Sequence, residues 1–256
     1  MKKADDDPPL CELKKATNGI MYIDPAGPER PETIRCEGKT YSRFMDFIYI
    51  SKSAEELSED EVLAVNKLRE QFIQKMPHWE INISVRAKFL RVIDSLVINS
   101  VLEIGPDSNP LFPDSGHKFK EYFTADLDLE SVDLLSSKGI KSFHFNLNAP
   151  LPLPDSSIDL VVALFVFQFP ISIQQIKEIR RVVKPDGAVM ANVYRRDQRS
   201  RDELRAQFLE VGLHCKVIPD GSHLCRDHEY WCLSVNEDSN LLRVVIEGMT
   251  NNDREK

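Results

Sequence analysis

The chain has 256 residues, a hydrophobic share of 42%, a charged share of 29% and a formal net charge of −8. That length fills one packed domain with an appendage, and a core of this size needs no disulfide or metal staple. The acidic balance argues against broad contact with nucleic acid, which is driven by cations on phosphates, while leaving room for a local basic groove, and no apolar run is long enough for a membrane span.

MKKADDDPPL lacks the apolar centre of a secretory leader. Five cysteines (Cys11, Cys36, Cys215, Cys225, Cys232) form no C-x-x-C pair, which fits free thiols in a reducing, cytoplasmic setting. Residues 1–50 are expected to form an irregular head, because Pro25, Pro28 and Pro31 interrupt any helix. Within it, IRCEGKTYSRFMDFIYIS alternates as a β hairpin does. Residues 51–98 are expected to be a helical lead-in. Ser58 and Glu61 make a capping box ahead of Val65, Leu68, Phe72 and Met76, and Val85, Phe89, Val92 and Leu96 line a second helix over Ser84 to Val97.

From residue 99 to 235, short apolar runs alternate with helical periods, the pattern of a doubly wound α/β sheet. The strand-like runs are SVLEI, EYFTADL, KSFHF, IDLVVALF, AVMANVY, HCKVI and YWCLSV. Ile176, Ile179 and Val183 mark one intervening helix. Leu204, Phe208 and Val211 mark another, with Asp202 as its expected N-cap and Gly212 past its end. Residues 236–256 are expected to be a polar tail.

The stretch that organises this pattern is SVLEIGPDSNPL, residues 100 to 111. A buried strand that stops at Gly105 and turns through small polar residues presents backbone N–H groups at the carboxyl edge of an open sheet. VLEIG with its turn resembles the first motif of class I S-adenosylmethionine (SAM) dependent methyltransferases. HFNLNAPLPLPDSSIDLVV is similar to that family's D-x-x-x-x-LPF-x-D-x-SFDLVV, and EIRRVVKPDGAVMANVY to its E-I-x-R-V-L-K-P-G-G turn. The likeness covers roughly residues 84 to 235. It implies a Rossmann-like sheet of seven mostly parallel strands, the last one antiparallel, and SAM as cofactor.

The resemblance also assigns residues. Glu103, Gly105, Asp107, Asn109, Asp126, Asn146 and Leu147 would line the cofactor, with Asp126 accepting from the ribose hydroxyls. The family loop reads G-x-G-x-G, whereas this chain has Asp107 and Asn109 at the second and third glycines. Both tolerate left-handed backbone better than other side chains. The Asp107 carboxylate either accepts from the ligand's ammonium or fills the ligand's space. Asn146 replaces the acid that accepts from the adenine amino group; an amide oxygen can still accept that bond.

Lys184 to Gly187 is expected to turn, with Gly187 left-handed. Phe165, Arg195 and Arg196 follow the fourth and fifth strands and are candidate substrate contacts, although consecutive aromatics also suit a core and an arginine run also suits a solvated loop. His223 and His228 are candidate catalytic groups, since histidine titrates near neutral pH. Metal is not expected at His214, Cys215, His223, Cys225, His228 and Cys232. The CEGKTY stretch is similar to a zinc-ribbon-like head that has lost its other cysteines, so no zinc is expected there.

The function implied is methyl transfer to a small molecule or to a defined protein or metabolite group, with a homodimer or a partner protein possible. The alternative is a methyltransferase fold without catalysis, acting as a binding or regulatory subunit. A nicotinamide oxidoreductase would need a G-x-G-x-x-G turn, which Asp107, Asn109 and Pro110 do not supply.

Overall fold

The computed structural model describes residues 13–24, 31–45, 47–72, 79–113, 119–146, 150–221 and 227–251. Leu147, His223, Cys11 and Cys225 lie outside these described residues. The chain divides into two compact units, Met1–Glu80 and Ile81–Lys256. The division thus falls inside the segment that the sequence presents as one helical lead-in.

The first unit is more regular than expected. Strands β1 (Leu13–Lys15), β2 (Met21–Ile23), β3 (Thr33–Cys36), β4 (Lys39–Met45) and β5 (Ile48–Ile50) form an antiparallel sheet in the order β1-β2-β5-β4-β3. Three-residue strands are too short to show a period, which hid β1 and β2 in the sequence. The expected hairpin is β3–β4, turning through Glu37 and Gly38 at φ 49° and 77°. Two successive positive φ values give the turn whose twist suits a two-residue hairpin. Helix α1 (Glu59–Phe72) starts on the expected capping box: the Ser58 N–H donates to Glu61 Oε2 at 2.7 Å, and the Glu61 N–H to Ser58 Oγ at 3.3 Å. Val62, Val65 and Leu68 are buried, and the Phe72 ring lies 5.5 Å from Phe47 and 5.7 Å from Tyr22.

The second unit holds all seven expected strands. Helix α2 (Trp79–Ser95) leads to β6 (Ser100–Ile104) and β7 (Glu121–Asp126), then α3 (Leu129–Ser137), β8 (Lys141–His144) and β9 (Ile158–Ala163). Next come α4 (Ile173–Val182), β10 (Val183–Val193), α5 (Gln198–Glu210), β11 (His214–Pro219), β12 (Glu229–Ser234) and α6 (Asn240–Asn251). The sheet order is β11-β12-β10-β9-β6-β7-β8, and β12 runs antiparallel to both its neighbours while the other pairs are parallel.

Alternation along the strands separates two buried faces. On one, Val101, Tyr122, Leu160, Val162, Met190 and Tyr230 join Phe89 and Val92 of α2 and Val245 and Met249 of α6. On the other, Leu102, Phe123, Val161, Val189 and Trp231 join Ile176 and Ile179 of α4 and Phe208 of α5. Residues 236–256 are therefore not simply a polar tail. Leu242, Val245 and Met249 recur at helical spacing and are buried.

Two local expectations are corrected. Asp197, not Asp202, caps α5, accepting from the Ser200 N–H at 2.7 Å; Asp202 stands one turn into the helix and pairs with Arg205. Lys184 to Gly187 belongs to β10 as an irregularity in its pairing with β9, and Gly187 is not left-handed. Its glycine serves close approach instead: a Cβ there would lie 2.9 Å from the Asp159 carbonyl oxygen and 3.1 Å from that of Ile158.

Candidate active site

Strand β6 sits between β7 and β9, and the connections on its two sides run in opposite directions. The crevice at the carboxyl ends of β6 and β9 is therefore the point where an open α/β sheet takes a ligand. Gly105 opens it. Its N–H donates to the Ala125 carbonyl at 2.8 Å, its φ is 67°, and a Cβ would lie 2.5 Å from Val166 Cγ2 in the segment after β9. Both the backbone conformation and the space demand glycine.

Asp107 follows at φ 49°, as its residue type allows. Its N–H donates to Asp126 Oδ2 at 2.9 Å, and the Asp128 N–H donates to Asp126 Oδ1 at 2.9 Å. The acid at the end of β7 thus ties the turn after β6 to the start of α3. Burial pushes the Asp126 carboxyl above its ordinary range, against those two N–H groups, which favour its ionised form. The Leu127 N–H also favours the ionised form of this carboxylate. Asn109 is exposed, and its N–H closes a turn onto the Pro106 carbonyl at 3.1 Å. Asn146, past β8, has its Nδ2 3.5 Å from His144 Nδ1, while His144 Nε2 lies 3.1 Å from the Leu127 carbonyl.

Glu103 differs from its expected role. Its side chain is 1% exposed and lies under the turn, where Oε2 accepts the Leu111 N–H at 2.8 Å and the Tyr122 hydroxyl. Burial pushes its carboxyl up to about 7, and burial with the adjacent Glu103 raises the Tyr122 phenol as well. Glu103 therefore anchors the far end of the turn, with Arg86 Nη2 holding the Pro110 carbonyl at 2.9 Å beside it. Phe112 is committed to the same core, its ring 4.9 Å from Phe119 and 5.5 Å from Tyr122. Nothing in the sequence singles out Tyr122, which reads as one more apolar residue of the EYFTADL strand, or Arg86, which belongs to no motif.

The other quoted motifs are structural. Asp159 accepts from the Asn99 and Ser100 N–H groups, both at 2.9 Å, and from Lys184 Nζ at 2.6 Å, so it pins β6, β9 and β10 together. Arg181 donates to the Leu151 and Leu153 carbonyls at 2.9 and 2.7 Å, fixing the proline-rich stretch against α4.

Arg196 is not placed to hold a substrate anion. Its guanidinium donates to the Phe167 carbonyl, to that of Phe169 at 2.7 Å and to Ser200 Oγ at 2.6 Å. Arg199 pairs with Glu203 at 2.8 Å and Arg201 with Glu229 at 2.9 Å. Arg195 stands at φ 57°, half-buried. Phe167 and Phe169 are core, as their run suggests, but Phe165 is half-buried at φ 56°, 5.7 Å from Tyr194 and 6.3 Å from His228. Burial holds the His228 imidazole below its ordinary range.

The family described as "Methyltransferase domain" matches residues 102–191, from β6 into β10. Residues 102–191 thus match a methyltransferase domain, about a third of the chain. A TehB-like SAM-dependent methyltransferase from Corynebacterium glutamicum is 16% identical over 66% of this chain and 98% of its own, with a TM-score of 0.50. A SAM-dependent methyltransferase from Thermotoga maritima, described as a possible histamine N-methyltransferase, is 15% identical over 67% of this chain and 96% of its own, with a TM-score of 0.48. The chain spans 47% of the citrinin polyketide synthase CMeT domain structure, at 16% identity over 55% of its own length and a TM-score of 0.44. No curated protein matches the chain in sequence. The methyltransferase domain has no helix among its described residues long and apolar enough to cross a membrane.

Proposed function

We propose that this chain transfers a methyl group from SAM to a small-molecule acceptor in the cytoplasm. The observation that carries the reading is the bond from the Asp107 N–H to Asp126. It ties the altered turn to the acid at the end of β7 although two side chains stand where the family has glycine. Gly105 and Asp107 would pass along the methionine part, Asp126 would accept from the ribose with its remaining lone pairs, and Asn146 would accept from the adenine amino group. When bound, SAM supplies a methyl group on a positively charged sulfur, so the protein's share is to align the acceptor and exclude water. The −8 charge favours a small acceptor over nucleic acid. Free thiols at Cys36, Cys215 and Cys232 suit a reducing compartment.

A second reading, a binding subunit without catalysis, draws on Asn146 in place of an acid and on the turns that replace a helix over 106–113. Calorimetry with S-adenosylhomocysteine separates the two. Binding is expected for the wild type, and a loss of tenfold or more for Gly105→Ala, whose Cβ would press on Val166 Cγ2 at 2.5 Å. No heat at millimolar ligand would leave only the second reading.

A further inference from the structure

Three buried polar atoms without a partner among the described residues gather where the segment after β9 meets β10 and β12. They are Gln168 Oε1, Asn192 Nδ2 and His228 Nδ1, on side chains 0%, 0% and 4% exposed. The orientation of both amides is settled by one residue. The Phe165 N–H donates to Asn192 Oδ1 at 2.7 Å, and Gln168 Nε2 donates to the Phe165 carbonyl. Asn192 is therefore left with a donor and Gln168 with an acceptor. A buried amide or imidazole without a partner costs stability, so such a cluster points to a group that completes it.

Strand register places the cluster on one sheet face. Asn192 pairs with Tyr230 across β10 and β12, so Tyr194 and His228 extend the same row past the strand ends. The His228 ring stacks on Tyr194 at 4.6 Å, and Phe165 stands edge-on to both. Val166, next to Phe165, is the residue a Gly105 Cβ would strike, so these rings adjoin the turn assigned to the cofactor. Two of the nearby cations are engaged elsewhere: Arg196 grips carbonyls and Arg201 pairs with Glu229.

We infer that Phe165, Tyr194 and His228, with Asn192 and Gln168 at their base, form the methyl-acceptor subsite and take a neutral aromatic ring bearing a hydroxyl, which rests on the methyl-transfer reading. The rings offer flat apolar walls. The hydroxyl accepts from Asn192 Nδ2 and donates to His228 Nδ1, in the tautomer that carries the imidazole proton on Nε2. Burial is what disfavours positive charge at His228; among the charged neighbours, Asp227 and Asp220 pull the other way, and Arg195 and Arg201 only partly offset them.

The test compares 2-naphthol with naphthalene by calorimetry on the full chain saturated with S-adenosylhomocysteine. 2-Naphthol is expected to bind about tenfold tighter or more, because the hydrocarbon leaves the buried polar atoms unmatched. His228→Phe keeps a ring against Tyr194 but removes the nitrogen. It should lower 2-naphthol affinity about fivefold and leave naphthalene and S-adenosylhomocysteine unchanged. Equal affinities for the two probes, or no binding of either while S-adenosylhomocysteine binds, would overturn the subsite and leave the methyl-transfer reading standing. Loss of S-adenosylhomocysteine binding itself would strike that reading instead.

Discussion

Glu103 makes the sharpest quantitative test of how the turn is held. Its carboxyl, with an ordinary value of 4.5, is pushed up to about 7 by burial beneath Leu111 and Tyr122. The folded state then binds a proton that the unfolded chain releases at lower pH. The associated stability is fully present below about 4.5 and is lost as pH rises through about 7. At about 1.36 kcal/mol per pH step, the gap between 4.5 and about 7 comes to about 3 kcal/mol. Glu103→Gln keeps an acceptor near Leu111 but cannot ionise. Urea denaturation of both proteins at pH 5 and pH 8 should show the wild type losing about 2.5 kcal/mol more than the variant over that interval. Equal pH dependence in the two proteins would refute the placement of an ionisable group under the turn.

Two further substitutions probe the frame around the crevice. Gly187→Ala would place a Cβ 2.9 Å from the Asp159 carbonyl oxygen, in backbone that cannot swing aside, and should cost about 2 kcal/mol by urea denaturation; a neutral result would mean that β9 and β10 separate easily there. Arg196→Lys keeps the charge but loses the fork that reaches the Phe167 and Phe169 carbonyls and Ser200, so a loss of about 3 kcal/mol is expected in the same measurement. A lysine that restores wild-type stability would show that charge alone matters at that position.

The seven strands of the second unit were legible because each carries its own apolar run and its own stop. The turn after β6 was legible as well, down to a left-handed Asp107. What the sequence hid was contact between distant residues. Nothing near Glu103 announces that Tyr122, nineteen positions away, will cover it. An arginine run looks like an anion site until three of its members are seen paired with carbonyls and carboxylates. The cap of α5 was misplaced because Asp197 and Asp202 are both suitable, and only the bond to the Ser200 N–H decides between them. Helix α6 could have been found, since Leu242, Val245 and Met249 recur at helical spacing, but the polar residues around it masked the stripe.

Gly248 gives the last helix a role that its position in the chain does not suggest. A Cβ there would lie 3.1 and 3.2 Å from the two γ-methyls of Val92, so α6 and α2 meet with almost no side chain between them. The Gly248 backbone thereby seats directly on the Val92 side chain, within the apolar cluster that α2 and α6 share. A methyl group added at Gly248 would make Val92 give way by a few tenths of an ångström, joining in one fit two residues more than a hundred and fifty positions apart along the polypeptide.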